Sequence, residues 1–143
     1  MKKIFLVLLS LCVCVAGCKK NSFFLEGEWE TYSFEIDGVM QEICISGFFL
    51  ERSTNGSYNI NGNSGVNRFF GSVKVSGSKF MVQDNLASTK MAGEPRAMEF
   101  EDNFIDSFAH TDTWEIENIG NTLILTLCNK DSSRKLAFRK RNV

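Results

Sequence analysis

The body of the chain alternates apolar and polar positions in short runs, which is typical of β-strands separated by turns. Residues 29–36 alternate in this way, and Asp37-Gly38 follows as a two-residue hairpin turn because both positions tolerate positive φ. A return strand is predicted over residues 39–51, with a bulge at Gly47. One face of this return strand is expected to carry three apolar side chains: Ile43, Ile45 and Phe49.

Further short runs predict the rest of the sheet. They lie at residues 57–60, 69–76, 79–83, 114–117, 122–128 and 135–139. Turn-forming pairs separate several of them: Asn55-Gly56, Gly77-Ser78 and Gly120-Asn121. Gly77-Ser78 is expected to join residues 69–76 and 79–83 as a hairpin.

Residues 94–109 depart from this pattern and predict one helix. Pro95 stands in its first turn, where the missing backbone N–H costs no hydrogen bond. Phe100, Phe104 and Phe108 recur every four residues and form one apolar stripe. We expect this stripe to pack onto the sheet as core, and the alternative is a groove that binds a partner.

The N-terminal residues have the pattern of a bacterial lipoprotein signal. Lys2 and Lys3 precede an apolar run over residues 4–16, which is typical of the central region of a signal peptide. That run is too short to cross a hydrocarbon layer of about 30 Å. It ends in Val15-Ala16-Gly17-Cys18, which resembles a lipobox. The alternative is a buried N-terminal strand or helix with a chance cysteine.

This pattern predicts a processed, membrane-anchored chain. We expect a cleaved signal peptide over residues 1–17, a tether over residues 18–26 and a folded domain over residues 27–143. Acyl chains on Cys18 would hold the protein to a membrane. The lysine after Cys18 is compatible, by analogy with other bacterial lipoproteins, with the outer membrane. We therefore expect the protein in the bacterial cell envelope, on the outer membrane and facing the periplasm.

Five cysteines are present, and this processing leaves two of them in the folded domain. Cys12 and Cys14 leave with the signal peptide, and Cys18 carries the lipid. Outside the cytoplasm, the remaining Cys44 and Cys128 favour one disulfide. The alternative is two separate buried thiols that act as small apolar side chains.

Composition and charge exclude several classes of protein. An apolar share of 43% is too high for an intrinsically disordered chain. The chain has 16 basic and 17 acidic residues, so no overall basic field attracts nucleic acid. His110 is the one histidine, and neither a phosphate-binding loop nor a nucleophile elbow is present. We therefore predict a protein that is not an enzyme and that has no cofactor and no metal site.

Charged residues cluster along the chain. Residues 26–51 hold seven acidic residues and no basic one, and residues 134–141 form a basic tail. A solvated surface is the simpler interpretation. The alternative is a tail that contacts anionic lipid headgroups or an acidic partner.

Two motifs carry a resemblance to a known family. Residues 62–71 read Gly-Asn-Ser-Gly-Val-Asn-Arg-Phe-Phe-Gly, and residues 87–93 read Ala-Ser-Thr-Lys-Met-Ala-Gly. Together they resemble the META domain, the family of the HslJ-like heat-shock lipoproteins. Gly27-x-Trp29 and Leu123-x-Leu125-x-Leu127 fit the same family, so the resemblance covers about residues 27–140. The paired cysteines of the family fall at Val66 and Gly93, so that pair is absent here.

The resemblance implies a mainly β (α+β) fold. It would be a small antiparallel, partly open β-barrel with one helix packed across it. From the residues themselves, Asn63 and Asn67 are expected to satisfy turn amides through their side chains. Thr89 and Met91 are expected on a strand that faces the helix.

The functional prediction is a non-catalytic binding module, with a role in stress response or envelope maintenance implied by the family. Its target would be an envelope protein or a hydrophobic ligand, in or beside the barrel. Adjacent aromatic residues in a strand point to opposite faces, so Phe49 and Phe70 are the candidate binding surface. The alternative is an inhibitor of a cell-wall or proteolytic hydrolase, with the acidic loops near Asp37 or Asp112 as the plug.

Overall fold

The computed structural model describes residues 25–54 and 56–142. The described residues form nine strands and one helix. The elements in chain order are β1 Gly27–Ile36, β2 Val39–Met40, β3 Gly47–Arg52, β4 Ser57–Asn63, β5 Arg68–Ser76, β6 Lys79–Ser88, α1 Pro95–Ala109, β7 Thr113–Ile119, β8 Thr122–Cys128 and β9 Arg134–Lys140. The predicted signal peptide, Cys18 and Asn55 lie outside the described residues.

The strands form one antiparallel sheet that closes on itself. Its order is β2-β1-β3-β4-β5-β6-β7-β8-β9, and β1 also pairs with β9. Only Lys79 and Thr113 pair between β6 and β7, so the barrel is open along most of that seam. The prediction of a mainly β fold, with a partly open antiparallel barrel and one helix, is confirmed.

The helix packs into the barrel through its phenylalanine stripe. It begins at Pro95, after Glu94, and ends at Ala109, close to the predicted bounds. The rings of Phe104 and Phe108 lie 6.0 and 5.6 Å from that of Phe69, and Phe108 also contacts Phe48 and Phe80. The stripe is therefore core, as predicted, and the alternative of a partner-binding groove is wrong.

The predicted return strand over residues 39–51 is wrong as a continuous element. β2 ends at Met40, residues 41–46 leave the sheet, and β3 begins only at Gly47. Ile43 is 38% exposed and Ile45 is 89% exposed, so neither belongs to a buried face. The face of β3 that points into the core carries instead Phe48 and Leu50.

The cause of this break lies in β1. The pairing of β1 with β9 shifts register between Thr31 and Ser33, which is a β-bulge. On the other edge of β1, hydrogen bonds come from the two ends of the irregular segment, residues 41–46. Thr31 N donates to Ser46 O, and Gln41 N donates to Phe34 O. At Gly47 a Cβ atom would lie 2.2 Å from Trp29 O, so only glycine lets β3 approach β1 there. Gly47 therefore starts a strand rather than marking a bulge within one.

The hairpins and most strands are where the pattern predicts them. Asp37 and Gly38 have φ of 50° and 78° and join β1 to β2. Gly77-Ser78 joins β5 to β6, and β4 and β6 extend past the predicted bounds, to Asn63 and Ser88. Leu25 is fully buried, so the folded domain includes residues that the sequence assigned to the tether.

Replacing Phe104 by Ala tests how much the stripe contributes to stability. Phe104 is fully buried among other rings, so we expect Phe104→Ala to lower the free energy of unfolding by about 3–5 kcal/mol. Urea unfolding followed by tryptophan fluorescence measures this loss. The matched control is Phe49→Ala, which removes a half-exposed ring and should cost far less. Equal losses in the two variants would contradict the assignment of the stripe to the core.

Candidate functional site

The first resemblance motif and the helix meet at a buried carboxylate. Glu101 is 7% exposed, and its Oε1 accepts hydrogen bonds from Ser64 Oγ and from the backbone N–H of Asn67, both at 2.6 Å. Its Oε2 accepts a third from Asn67 Nδ2 at 2.7 Å. Burial raises the pKa of Glu101, but the hydrogen bonds from Ser64 and Asn67 outweigh it, so the net pKa is lowered.

Asn67 extends this cluster to the second motif. Its Oδ1 accepts hydrogen bonds from the backbone N–H of Met91 at 2.7 Å and from Thr89 Oγ1 at 2.9 Å. Its Nδ2 also donates to the Met91 carbonyl at 3.0 Å. Thr89 and Met91 lie just beyond β6, so the predicted strand facing the helix ends before them. Asn67 therefore holds two loops against the helix.

This cluster is structural rather than a ligand site. Among the described residues, every buried side-chain nitrogen or oxygen has a hydrogen-bond partner, so none is left to recognise a ligand. The predicted role of Asn63 is confirmed, because its Oδ1 accepts from Gly65 N at 2.8 Å. Glu101 was not predicted from the sequence, although an acidic residue beside an apolar helical stripe could have indicated a buried partner.

The predicted disulfide between Cys44 and Cys128 is not present, and both are free thiols. Cys44 packs against the core near Phe100 and Gly65. Cys128 lies on the other side of the barrel wall, because side chains alternate along β8 and Leu125 and Leu127 point inward. Burial raises the pKa of the Cys128 thiol, and nearby Lys135 offsets part of that effect. The structure therefore has the alternative arrangement, in which Cys44 and Cys128 are two separate thiols.

The candidate residues Phe49 and Phe70 both lie on the outer face of the barrel. Phe49 is 47% exposed and Phe70 is 41% exposed, whereas their neighbours Phe48 and Phe69 are buried. In the register of the sheet, Phe49 pairs with Asn61 of β4, and Asn61 pairs with Phe70. The two rings therefore flank one amide side chain, and the strands that carry them are two strand spacings, or about 10 Å, apart.

A surface groove of about 480 Å³ adjoins this row. The irregular segment before β3 forms one side of it, with the exposed Ile45. Its other lining side chains include Glu28, Phe49, Asn61, Asn63 and Arg68. The guanidinium of Arg68 donates to Asn61 Oδ1 at 3.1 Å and lies 5.9 Å from the centre of the Phe70 ring.

The basic tail pairs with the acidic region of the sequence. Arg139 contacts Glu30 at 2.9 Å, and Arg141 contacts Glu28 at 3.1 Å, along the β1–β9 edge that borders the groove. Such exposed pairs add little stability, but they neutralise two carboxylates at this end of the barrel. The alternative in which the tail serves a lipid surface or an acidic partner is weakened, because these arginines are already paired.

The polar residues around His110 and Asp112 line a second surface pocket, and most of them are engaged in local hydrogen bonds or ion pairs. His110 follows the helix, and its Nδ1 lies 2.8 Å from Asp106 O. Ser107 Oγ is engaged by Asn103 O and Arg134. Asp112 forms a salt bridge with Lys79 at 2.8 Å, while Asp37 lies at an exposed hairpin tip.

The described part of the chain has neither a cluster of metal ligands nor a membrane-crossing helix. No group of three or more His, Cys, Asp or Glu residues there is placed to hold a metal ion. Within residues 25–54 and 56–142, no helix is long and apolar enough to cross a membrane.

Comparison with known proteins places this geometry in a family. A family model described as the META domain matches residues 23–142. The chain belongs to the META domain family. A solved structure, described as the NMR structure of the protein from Burkholderia xenovorans, superposes on this META domain with a TM-score of 0.69 at 19% identity. The match covers 85% of this chain and 87% of that one, and at such low identity it shows the fold alone. No curated protein matches the chain.

The two positions that carry cysteines in the META resemblance are neighbours in this structure. A Cβ atom placed on Gly93 would lie 3.4 Å from the Cβ of Val66. Disulfide-bonded cysteines have Cβ atoms about 3.8 Å apart, so this spacing is close to what a bridge needs. In this META domain the same two loops are held by Asn67 and Glu101 without a covalent bond.

Replacing Glu101 by Gln tests the buried carboxylate. The amide would place an NH₂ group among three donors, so we expect the variant to lose about 1–3 kcal/mol of stability at neutral pH. Because the pKa of Glu101 is lower when folded than when unfolded, its contribution is full above the unfolded pKa of about 4.3 and is lost as the pH falls through the lower folded value.

Urea unfolding at several pH values between neutrality and pH 3 measures both effects. The stability of Glu101→Gln should fall less on acidification than that of the wild type. The control is Glu99→Gln on the exposed side of the same helix, which should behave like the wild type. Parallel pH profiles for the wild type and Glu101→Gln would contradict the proposed role.

Introducing the missing cysteine pair tests the proximity of the two loops. In a Cys44→Ala background, which removes the thiol near Gly65, the double variant Val66→Cys/Gly93→Cys should form a disulfide under mild oxidation. Closing a loop of this length should stabilise the domain by up to about 3.5 kcal/mol relative to its reduced form. Peptide mapping and thermal unfolding with and without reductant measure this. Failure to oxidise in a folded variant would show that the loops are not adjacent.

Proposed function

We propose that this META domain is a non-catalytic binding module of the bacterial cell envelope, anchored by lipid on Cys18 at the outer membrane, facing the periplasm. We further propose that it binds its target on the outer face of the barrel, around Phe49, Asn61 and Phe70. The family supports a general binding or stress-related role. The observation that carries the finer proposal is the exposure of two phenylalanine rings on one row of the sheet.

The packing of the interior favours the outer face over a ligand inside the barrel. Among the described residues, eight buried phenylalanine rings form one continuous cluster, with neighbouring ring centres 4.7–6.2 Å apart. A small barrel filled in this way is a packed core rather than a chamber. A hydrophobic ligand inside would have to displace several rings, whereas the outer groove is open.

The position of the groove also fits an anchored protein. Glu28 lies at the start of β1 and lines the groove, so the binding face is at the end of the domain where the chain enters from Cys18. Glu28 is ten positions after Cys18, so even a fully extended tether keeps the groove within about 35 Å of the membrane. The target would therefore lie close to the membrane surface.

The alternative of a hydrolase inhibitor has weaker support. Asp112 is tied to Lys79 and does not project as a plug. Asp37 does stand at an exposed hairpin tip, beside the exposed Val39 and Met40. Inhibition that depends on Asp37 and not on Phe49 would favour this alternative.

Site-specific photo-crosslinking in living cells tests the proposal. A benzophenone amino acid at position 49 or 70 should form adducts in the envelope, because both side chains would face the target. The control position is Ile119, which is also exposed but lies at the β7–β8 turn. Adducts at all three positions, or at none, would argue against a binding site on this face.

The same cells test the anchor. We expect the wild type to incorporate labelled fatty acid and to fractionate with the outer membrane, and Cys18→Ser to do neither. If Cys18→Ser still fractionates with the membrane and keeps its label, the anchor is not on Cys18.

A further inference from the structure

We propose that the outer face binds an acidic oligosaccharide, with Phe49 and Phe70 contacting the sugar rings and Arg68 contacting a sugar carboxylate. This inference rests on the proposed function, since it names the ligand of the same face.

The first step is the alternation of rings and amides. β4 presents Asn59, Asn61 and Asn63 on the outer face, and Phe49 and Phe70 flank the central one. A pyranose offers a flat C–H face, which packs on an aromatic ring, and a rim of hydroxyl groups, which an amide can serve as donor and acceptor. A lipid tail has no donor or acceptor to form hydrogen bonds with the three amides.

The spacing of the rings is the second step. The strands that carry the two rings are about 10 Å apart, because one strand lies between them. That separation is close to the length of two linked sugars, so one chain could contact both rings while the sugar between them meets Asn61. The groove of about 480 Å³ beside this row accepts one or two further sugars.

Charge gives the third step. Glu28 and Glu30 at the rim of the groove are each paired with an arginine of the tail. Arg68 contacts an amide oxygen and a ring, and none of the ion pairs among the described residues includes it. Its guanidinium therefore keeps donors for a carboxylate at the edge of the Phe70 ring. A single such cation favours an acidic sugar over a polyanion such as nucleic acid.

Isothermal titration of the soluble domain with defined tetrasaccharides tests the proposal. The acidic probe is a hyaluronan tetrasaccharide, which alternates N-acetylglucosamine with a uronate, and the neutral probe is chitotetraose. We expect the acidic probe to bind with a Kd below about 1 mM and the neutral one several-fold more weakly.

Three variants separate the parts of the site. Phe49→Ala and Phe70→Ala should each weaken both probes by about tenfold, which corresponds to the value of one good ring contact. Arg68→Gln should remove the preference for the acidic probe, so that the two probes bind the variant with similar affinity. Tyr32→Ala, an exposed aromatic residue outside the row, is the control and should bind like the wild type.

The outcomes also distinguish this inference from the proposed function. If neither probe binds the folded wild type at 5 mM, or if binding ignores Phe49 and Phe70, the carbohydrate proposal is wrong. Crosslinks at positions 49 and 70 to a protein would then keep the outer face as the site with a different occupant. If those crosslinks are also absent, both proposals are wrong. Equal binding of the two probes would overturn the role of Arg68 and the preference for an acidic sugar.

Discussion

The fold depends on how one helix is fixed inside a barrel that is incompletely closed. Hydrophobic burial of the phenylalanine stripe supplies most of the driving force, but an apolar stripe alone does not set the rotation or height of a helix. The buried carboxylate of Glu101 sets both, because its hydrogen bonds with Ser64 and Asn67 have fixed lengths and directions. Losing any partner would leave a buried charge unsatisfied, so alternative positions of the helix are costly.

Filling the barrel in this way constrains where the protein can act. The helix occupies the interior, and the open seam between β6 and β7 leaves the strand pairing incomplete without exposing a chamber. The binding that we propose would therefore take place on the outer surface. Most outward positions of the sheet are polar, so the exposed rings of Phe49 and Phe70, together with Ile45, stand out as the apolar part of the surface near the groove.

Local signals in the sequence predicted much of the fold. The helix, the Asp37-Gly38 hairpin and the closing strands were correct, because each is set by residues that are near one another along the chain. The break over residues 41–46 could not be predicted in this way. It arises where a bulge in β1 meets Gly47, and the bulge itself is defined only by the pairing of β1 with the distant β9.

The candidate site, like the fold, has features that local sequence predicts and features that depend on distant strand pairing. Alternation within a strand is local, so it was enough to show that Phe49 and Phe70 could both leave the core. The placement of Phe49 and Phe70 in one row depends on residues that are distant in sequence, because β4 must run between β3 and β5 as far as Asn61 and beyond. The predicted strand stopped at Ile60, because Asn61, Gly62 and Asn63 look like turn residues. These residues stay in the strand because β3 and β5 pair with them on both sides, so the side chains of Asn61 and Asn63 lie on the outer face, and Asn63 also accepts from the turn amide of Gly65. Asn61 and Asn63 make this surface polar, and the same residue types led the sequence prediction to end the strand before them.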